Sequence, residues 1–257
     1  MAGLFGQGEY DVRFDWGPVG ARATRPDVAV VVDVLSFSTS VTIAVERGMR
    51  VYPYPWKGQG AAEFAASRDA VLAVGRLEAG RDGAVSAPSL SPAGLLSCDV
   101  VPRLVLPSPN GSTIAAALRE HGCTVLIGCL RNAGAVAGRV AEEVRAGRTV
   151  AVIAAGERWS EDDSLRPALE DHLGGGAIIA ALAGEFGDDR FSPEAVAAAE
   201  VFEASRARLA ERLHACVGGR ELAGKGFARD VDVAAAFDAS HVVPVLSDGA
   251  FGPGVQP

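Results

Sequence analysis

Most signatures of well-known enzyme chemistry are missing from this sequence. Its 257 residues hold no Gly-x-Ser-x-Gly elbow, no Cys-x₅-Arg loop, no His-Glu-x-x-His and no Gly-x₄-Gly-Lys phosphate loop. Serine hydrolases, thiol phosphatases, zincins and P-loop nucleotidases are thereby disfavoured. Cysteine is scarce: Cys98, Cys123, Cys129 and Cys216 are scattered, and Cys123 and Cys129 fit no common zinc spacing. Reduced thiols are expected. Aromatics are only 6% of the chain, and no basic stripe with interleaved aromatics is present. With a net charge of −8 and a pI near 5.1, nucleic acid is not an expected partner. No apolar run approaches the ~20 residues that a membrane span needs. The N-terminus lacks a basic segment followed by a hydrophobic one, so a cytoplasmic location with no membrane partner is expected.

What is present is ample core material. Hydrophobic residues make up 49% and charged residues 22%, as in a globular protein. The length suits one large α/β domain or two small ones. The chain is organised around residues 28–48. Val28-Ala-Val-Val-Val runs straight into Asp33 without polar alternation, which reads as a strand buried on both faces. Ser36, Ser38, Thr39 and Ser40 follow, with Ser38 or Thr39 as N-cap of a helix over 38–47 and Gly48 as its stop. Ligands of open α/β sheets sit beyond strand carboxyl ends. The free N–H groups of a helix start suit an anion there. Capping chemistry alone would also explain this stretch.

Along the chain, residues 10–24 alternate as an edge strand would. A strand from Arg50 carries Pro53 and Pro55, which confine it to an edge or a strand end. A helix over 61–68 and a buried strand over 70–75 continue a βαβ rhythm, so a mainly parallel sheet is expected. Residues 76–102 read as a long surface loop. Strands are expected at 103–107, 123–128 and 148–156, with helices at 114–119 and 133–145. Pro167 starts a helix to Phe186, carrying Glu170 and Asp171 in its first turn and Gly174-Gly-Gly176 after them. Ser192 opens a long amphipathic helix over 193–217, which could pack in the core or against a second copy of the chain. A capped element at 219–224, a helix at 229–237 and a strand at 241–246 close the chain.

Parallel strands would gather four polar tips on one edge of the sheet. These are Asp33 with Ser36–Ser40, Asn110-Gly111-Ser112-Thr113, Arg131-Asn132, and Glu157-Arg158 with Glu170 and Asp171 beyond. Carboxylates, amides, hydroxyls and arginines beside helix starts suit a phosphate ester held with Mg²⁺. Among the four histidines only His172, beside Asp171, is placed near such a site.

In this order the motifs resemble those of the 2-phosphosulfolactate phosphatase family over nearly the whole chain. The matching pieces are Asp33-Val-Leu-Ser36-Phe-Ser38-Thr39-Ser40, Ser108-Pro-Asn110-Gly111-Ser112, Leu130-Arg131-Asn132-Ala133, and Ala155-Gly156 with Leu169-Glu170-Asp171. The tail from Gly219-Arg-Glu-Leu through Asp230-Val to Val243-Pro244 also fits. The resemblance implies a three-layer α/β/α fold with a mainly parallel, mixed sheet, read as one domain over 1–257 with sub-lobes about 1–102 and 103–257. It also implies a Mg²⁺-dependent phosphatase acting on a small phosphorylated acid. Asp33, Glu170 and Asp171 would be the catalytic and metal-holding carboxylates. Ser36, Ser38, Thr39, Arg76, Asn110, Gly111, Ser112, Thr113, Arg131, Asn132 and Arg158 would contact substrate. Three departures stand out: Ser36 where the family has Arg, Gly75-Arg76-Leu77-Glu78 for Gly-Glu-Arg, and Leu90-Ser91-Pro92 for Asn-Ser-Pro. The departures point to a changed substrate. The alternative reading is a weakly active or inactive relative that binds a small anion or a protein partner. Arginines converging on an acidic cleft would favour the enzyme, and a cleft filled by Phe37 and Leu77 the binder.

Overall fold

A computed structural model describes residues 4–55, 60–76 and 88–254. Strands are β1 Val12–Trp16, β2 Val28–Val32, β3 Arg50–Pro55, β4 Val71–Leu72, β5 Arg103–Ser108, β6 Thr124–Gly128, β7 Val150–Ala154, β8 Glu157–Arg158, β9 Leu165–Arg166, β10 Pro244–Ser247 and β11 Ala250–Pro253. The helices are α1 Gly17–Thr24, α2 Phe37–Glu46, α3 Ala61–Ser67, α4 Pro92–Ser97, α5 Gly111–Glu120, α6 Ala133–Arg145, α7 Leu169–Ala183, α8 Pro193–Ser205, α9 Leu209–Ala215, α10 Val217–Gly224 and α11 Ala228–Ala235. Among the described residues, nine strands form one sheet in the order β1-β7-β2-β6-β10-β11-β3-β5-β4, and β8 and β9 form a separate hairpin. The expected mainly parallel α/β sheet is present.

Val28–Val32 is buried throughout, as its unbroken apolar run requires. Val28, Val30 and Val32 face one core with α6, α7 and α8; Ala29 and Val31 face the other with α2 and α5. The alternation of side chains across a strand thus makes three layers. No helix among the described residues is long and apolar enough to cross a membrane.

One topological expectation is corrected. β1, β7, β2 and β6 run parallel to one another, as do β3, β5 and β4, but the β10–β11 hairpin inserts antiparallel between the two blocks. The blocks therefore run in opposite senses, and their carboxyl ends do not share one edge of a flat sheet. Twist brings them together. Five strand-to-strand steps separate β2 from β5, and at roughly 20° per step they accumulate about 100°. The join is narrow, with one register pair on each side of the hairpin, Val245 with Leu126 and Phe251 with Val51.

Several elements differ from the sequence reading. Residues 10–24 give only the short edge strand β1, because Gly17, at φ +61, turns the chain into α1 with Pro18 in its first turn. β3 is internal. Its prolines are tolerated because β11 pairs it only at Val51, while β5 pairs it along Arg50–Pro55. The expected buried strand at 70–75 shrinks to Val71–Leu72 on the sheet edge, with Val71 exposed. The expected loop contains α4, capped by Ser91 with Pro92 following. Residues 77–87, including Leu77 and Glu78, lie outside the described residues. The 193–217 helix is broken at Arg206–Arg208 into α8 and α9. Its apolar face is in the core, where Ala195, Ala198 and Phe202 join the cluster that holds α7.

Candidate active site

The loop after β2 places Asp33 at the start of α2. Its carboxylate joins two helix N-termini: Oδ1 accepts from Phe37 N at 3.1 Å, and Oδ2 accepts from Gly111 N, the first residue of α5, at 3.1 Å. Each N–H lacks a partner within its own helix, so the carboxylate caps both helices. Gly111 permits this approach. A Cβ there would lie 2.3 Å from Phe37 Cδ1 and 3.0 Å from Asp33 Oδ2. The helix starts expected to hold a substrate anion are thus occupied by the protein's own carboxylate.

Asp33 lines a cleft of about 240 Å³ with Ser36, Phe37, Arg76, Asn110 and Glu157 among others. A second cavity of about 590 Å³ continues it past Arg76, Leu90 and Glu157 toward Gly218, Lys225 and Phe227. Glu157 follows Gly156, whose φ of +66 turns the chain out of β7. Asn110 Nδ2 donates to Glu157 Oε2 at 3.1 Å. Sequence reasoning placed Glu157 at a strand tip but chose its neighbour Arg158. The signal was its position directly after a strand-ending Gly.

The carboxylates perturb one another. Burial pushes Asp33 up to about 7, with Glu157 and, more weakly, Glu170 adding to it against the two N–H donors. Burial raises Glu157 too, and Glu170 adds to it, against the Asn110 amide and Arg166. Burial lifts Asp171 well above the ordinary carboxylate range, and Asp33 and Glu170 lift it further.

The expected site residues separate into two groups. Asp33, Ser36, Arg76 and Asn110 line the cleft, and Gly111 borders it through its N–H to Asp33. The others do not line it. Asp171 accepts from Val34 N at 2.7 Å and Gly156 N at 2.8 Å, bracing the loops after β2 and β7. Glu170 is buried against Gly218. Ser38 Oγ donates to Val31 O and accepts from Asp33 N, and Thr39 Oγ1 donates to Val34 O. Ser112 Oγ donates to Tyr54 O and Thr113 Oγ1 to Pro109 O. Asn132 binds backbone at Cys129, Ile127 and Val242. Arg131 reaches Val233 O and lies 4.0 Å from Glu46, and Arg158 reaches Asp163. His172 packs with the rings of Phe14 and Trp16 instead of facing the cleft. For the hydroxyls and the amide the cause is shared: small polar side chains at tight turns satisfy backbone groups first.

Among the described residues, no group of three or more His, Cys, Asp or Glu side chains is arranged to hold a metal ion. The expected cage of Asp33, Glu170 and Asp171 is therefore not assembled. Asp33 and Glu157 do face one cleft. One or two carboxylates open to water and phosphate suit Mg²⁺, which seldom uses an all-protein cage.

The sequence matches the family model described as 2-phosphosulpholactate phosphatase over residues 19–249. It is 30% identical over 233 residues to the 2-phosphosulfolactate phosphatase of Methanothermobacter thermautotrophicus, covering 88% of this chain and 90% of that one. It is also 30% identical over 222 residues to a probable 2-phosphosulfolactate phosphatase of Gloeobacter violaceus, covering 85% and 88%.

Proposed function

The chain belongs to the 2-phosphosulpholactate phosphatase family, and from that membership and the cleft we propose that it is a Mg²⁺-dependent phosphatase of a small phosphorylated acid. The observation that carries the reading is Asp33. This buried carboxylate is fixed by two helix N-termini, faces a cleft lined by both polar and apolar side chains, Phe37 among them, and is pushed up to about 7 by burial beside a second carboxylate. Structural caps rarely need the second carboxylate or the cleft. Buried, mutually perturbed acids in a cleft are what proton-transfer chemistry uses.

Asp33 and Glu157 are the carboxylates that would hold a Mg²⁺ ion. Bound there, the ion supplies charge that offsets the phosphate's and acts as a Lewis acid. Arg76, the one cationic side chain lining the inner cleft among the described residues, would bind the substrate's anionic oxygens. Glu157, oriented by Asn110, would accept the proton of the attacking water. A substrate changed from the family's fits Ser36, whose hydroxyl contacts Arg76.

An observation favours the alternative, an anion binder without turnover: of the three arginines expected in the cleft, only Arg76 reaches it. Phosphate release from a panel of phosphorylated carboxylic and sulfonic acids, with Mg²⁺ and with EDTA, separates the two. Release that EDTA abolishes and that Asp33→Asn reduces at least about a hundredfold is expected. No release from any compound by well-folded protein would remove the enzyme reading.

A further inference from the structure

We propose that Asp230 is a positioning residue that holds Arg76 out in the cleft as its anion-binding group. Asp230 lies on α11, far from the cleft in sequence, and is 1% exposed. Its Oδ2 accepts from Arg76 Nε at 2.7 Å, and its Oδ1 accepts from Ala93 N at 3.0 Å and from Ser91 Oγ. Ser91 is in turn the N-cap of α4. The carboxylate is therefore tied to the start of α4 by two further donors and cannot follow Arg76 if the arginine moves.

The need for such an anchor comes from the charge of the cleft. Glu157 lines both cavities together with Arg76, and Asp33 lines the inner one. A free guanidinium would swing onto these carboxylates, cancelling its own charge and covering the acids. Asp230 and Ser36 Oγ instead take Nε and one terminal nitrogen. The ring of Phe227, 5.9 Å from the guanidinium carbon, supports its flat face. A guanidinium carries five N–H donors, and among the described residues only two of them are taken, which leaves donors for an oxyanion.

The test uses the full chain with Mg²⁺, and phosphoglycolate and inorganic phosphate as probes; only its kinetic half rests on the phosphatase reading. Asp230→Asn keeps the shape and removes the charge. It is expected to raise KM for phosphoglycolate at least about tenfold with kcat within about twofold, and to weaken inorganic phosphate binding by calorimetry equally. Arg76→Met should reproduce both losses, and the double variant should be no worse than Arg76→Met alone. If Asp230→Asn does not fold, Arg76→Met still decides, since unchanged phosphate binding in it would overturn the proposal. So would a loss in Asp230→Asn that persists in full on the Arg76→Met background, or a fall in kcat with KM unchanged. If phosphoglycolate is not turned over, the phosphatase reading for that substrate fails separately, and the phosphate titrations still judge Asp230. Wild-type protein that binds no phosphate would also overturn it.

Discussion

Asp33 concentrates the chemistry of the site at a single residue. Two backbone donors favour its ionised form, yet burial and Glu157 outweigh them and leave it near 7. An unfolded Asp titrates near 3.8. Between those values the folded state holds a proton that the unfolded chain has lost. Asp33 therefore adds stability that is full below about pH 4 and lost as pH rises through about 7. Without added metal, the unfolding temperature should fall across that window, and Asp33→Asn should flatten the fall. An unchanged slope in the variant would show that Asp33 titrates normally. Added Mg²⁺ should restore stability at pH 8 but not at pH 5, because only the ionised carboxylate binds it. Asp33 was readable in the sequence because an apolar run ended on it. Glu157 carried a signal in the strand-ending Gly156 before it, whereas Asp230, a lone acid within a helix, becomes informative only once its neighbours are known.

At the scale of elements, glycines decide how closely helices approach the site and each other. Gly111→Ala would drive a methyl group against Phe37 and Asp33. It should cost ~1–3 kcal/mol in urea unfolding and lower phosphate release about tenfold or more, because a donor to Asp33 is displaced. Gly176 plays the matching structural part between α7 and α8: a Cβ there would sit 2.1 Å from Ala198 O. Gly176→Ala should part those helices and destabilise by ~2–3 kcal/mol, without the selective loss of activity expected at Gly111. Equal loss of activity in the two variants at matched stability would contradict this division. Elements with strong periodicity were legible: the expected helix at 133–145 is α6 Ala133–Arg145, and the strand from Val28 is β2. β11 was missed, although Asp248-Gly249 carries a two-residue hairpin turn, with φ values of +52 and +79.

For the whole molecule, the β10–β11 hairpin is the joint on which the site depends. Asp33 comes from one parallel block and Gly111 from the other, so their contact requires both blocks in place. Phe251 on β11 is fully buried, pairs with Val51, and packs its ring 6.3 Å from that of Phe37 beside the cleft. Phe251→Ala should cost ~3–5 kcal/mol and weaken phosphate binding together with stability. A loss under about 1 kcal/mol in urea unfolding would show that the blocks dock without it.

Local chemistry was determined by the sequence alone. The apolar runs at 28–32 and 150–154 became buried strands, small polar residues became turns and caps, and the motif order carried the family. Tertiary structure decided which polar tips became cleft. A hydroxyl or amide in a turn has backbone partners within a few residues and takes them first, as Ser38, Thr39, Ser112 (to Ser108 O) and Asn132 do. Asp33, Asn110, Glu157 and Arg76 meet across a twisted sheet whose two halves run in opposite senses. That meeting depends on strand order and accumulated twist, which no local pattern of residues encodes.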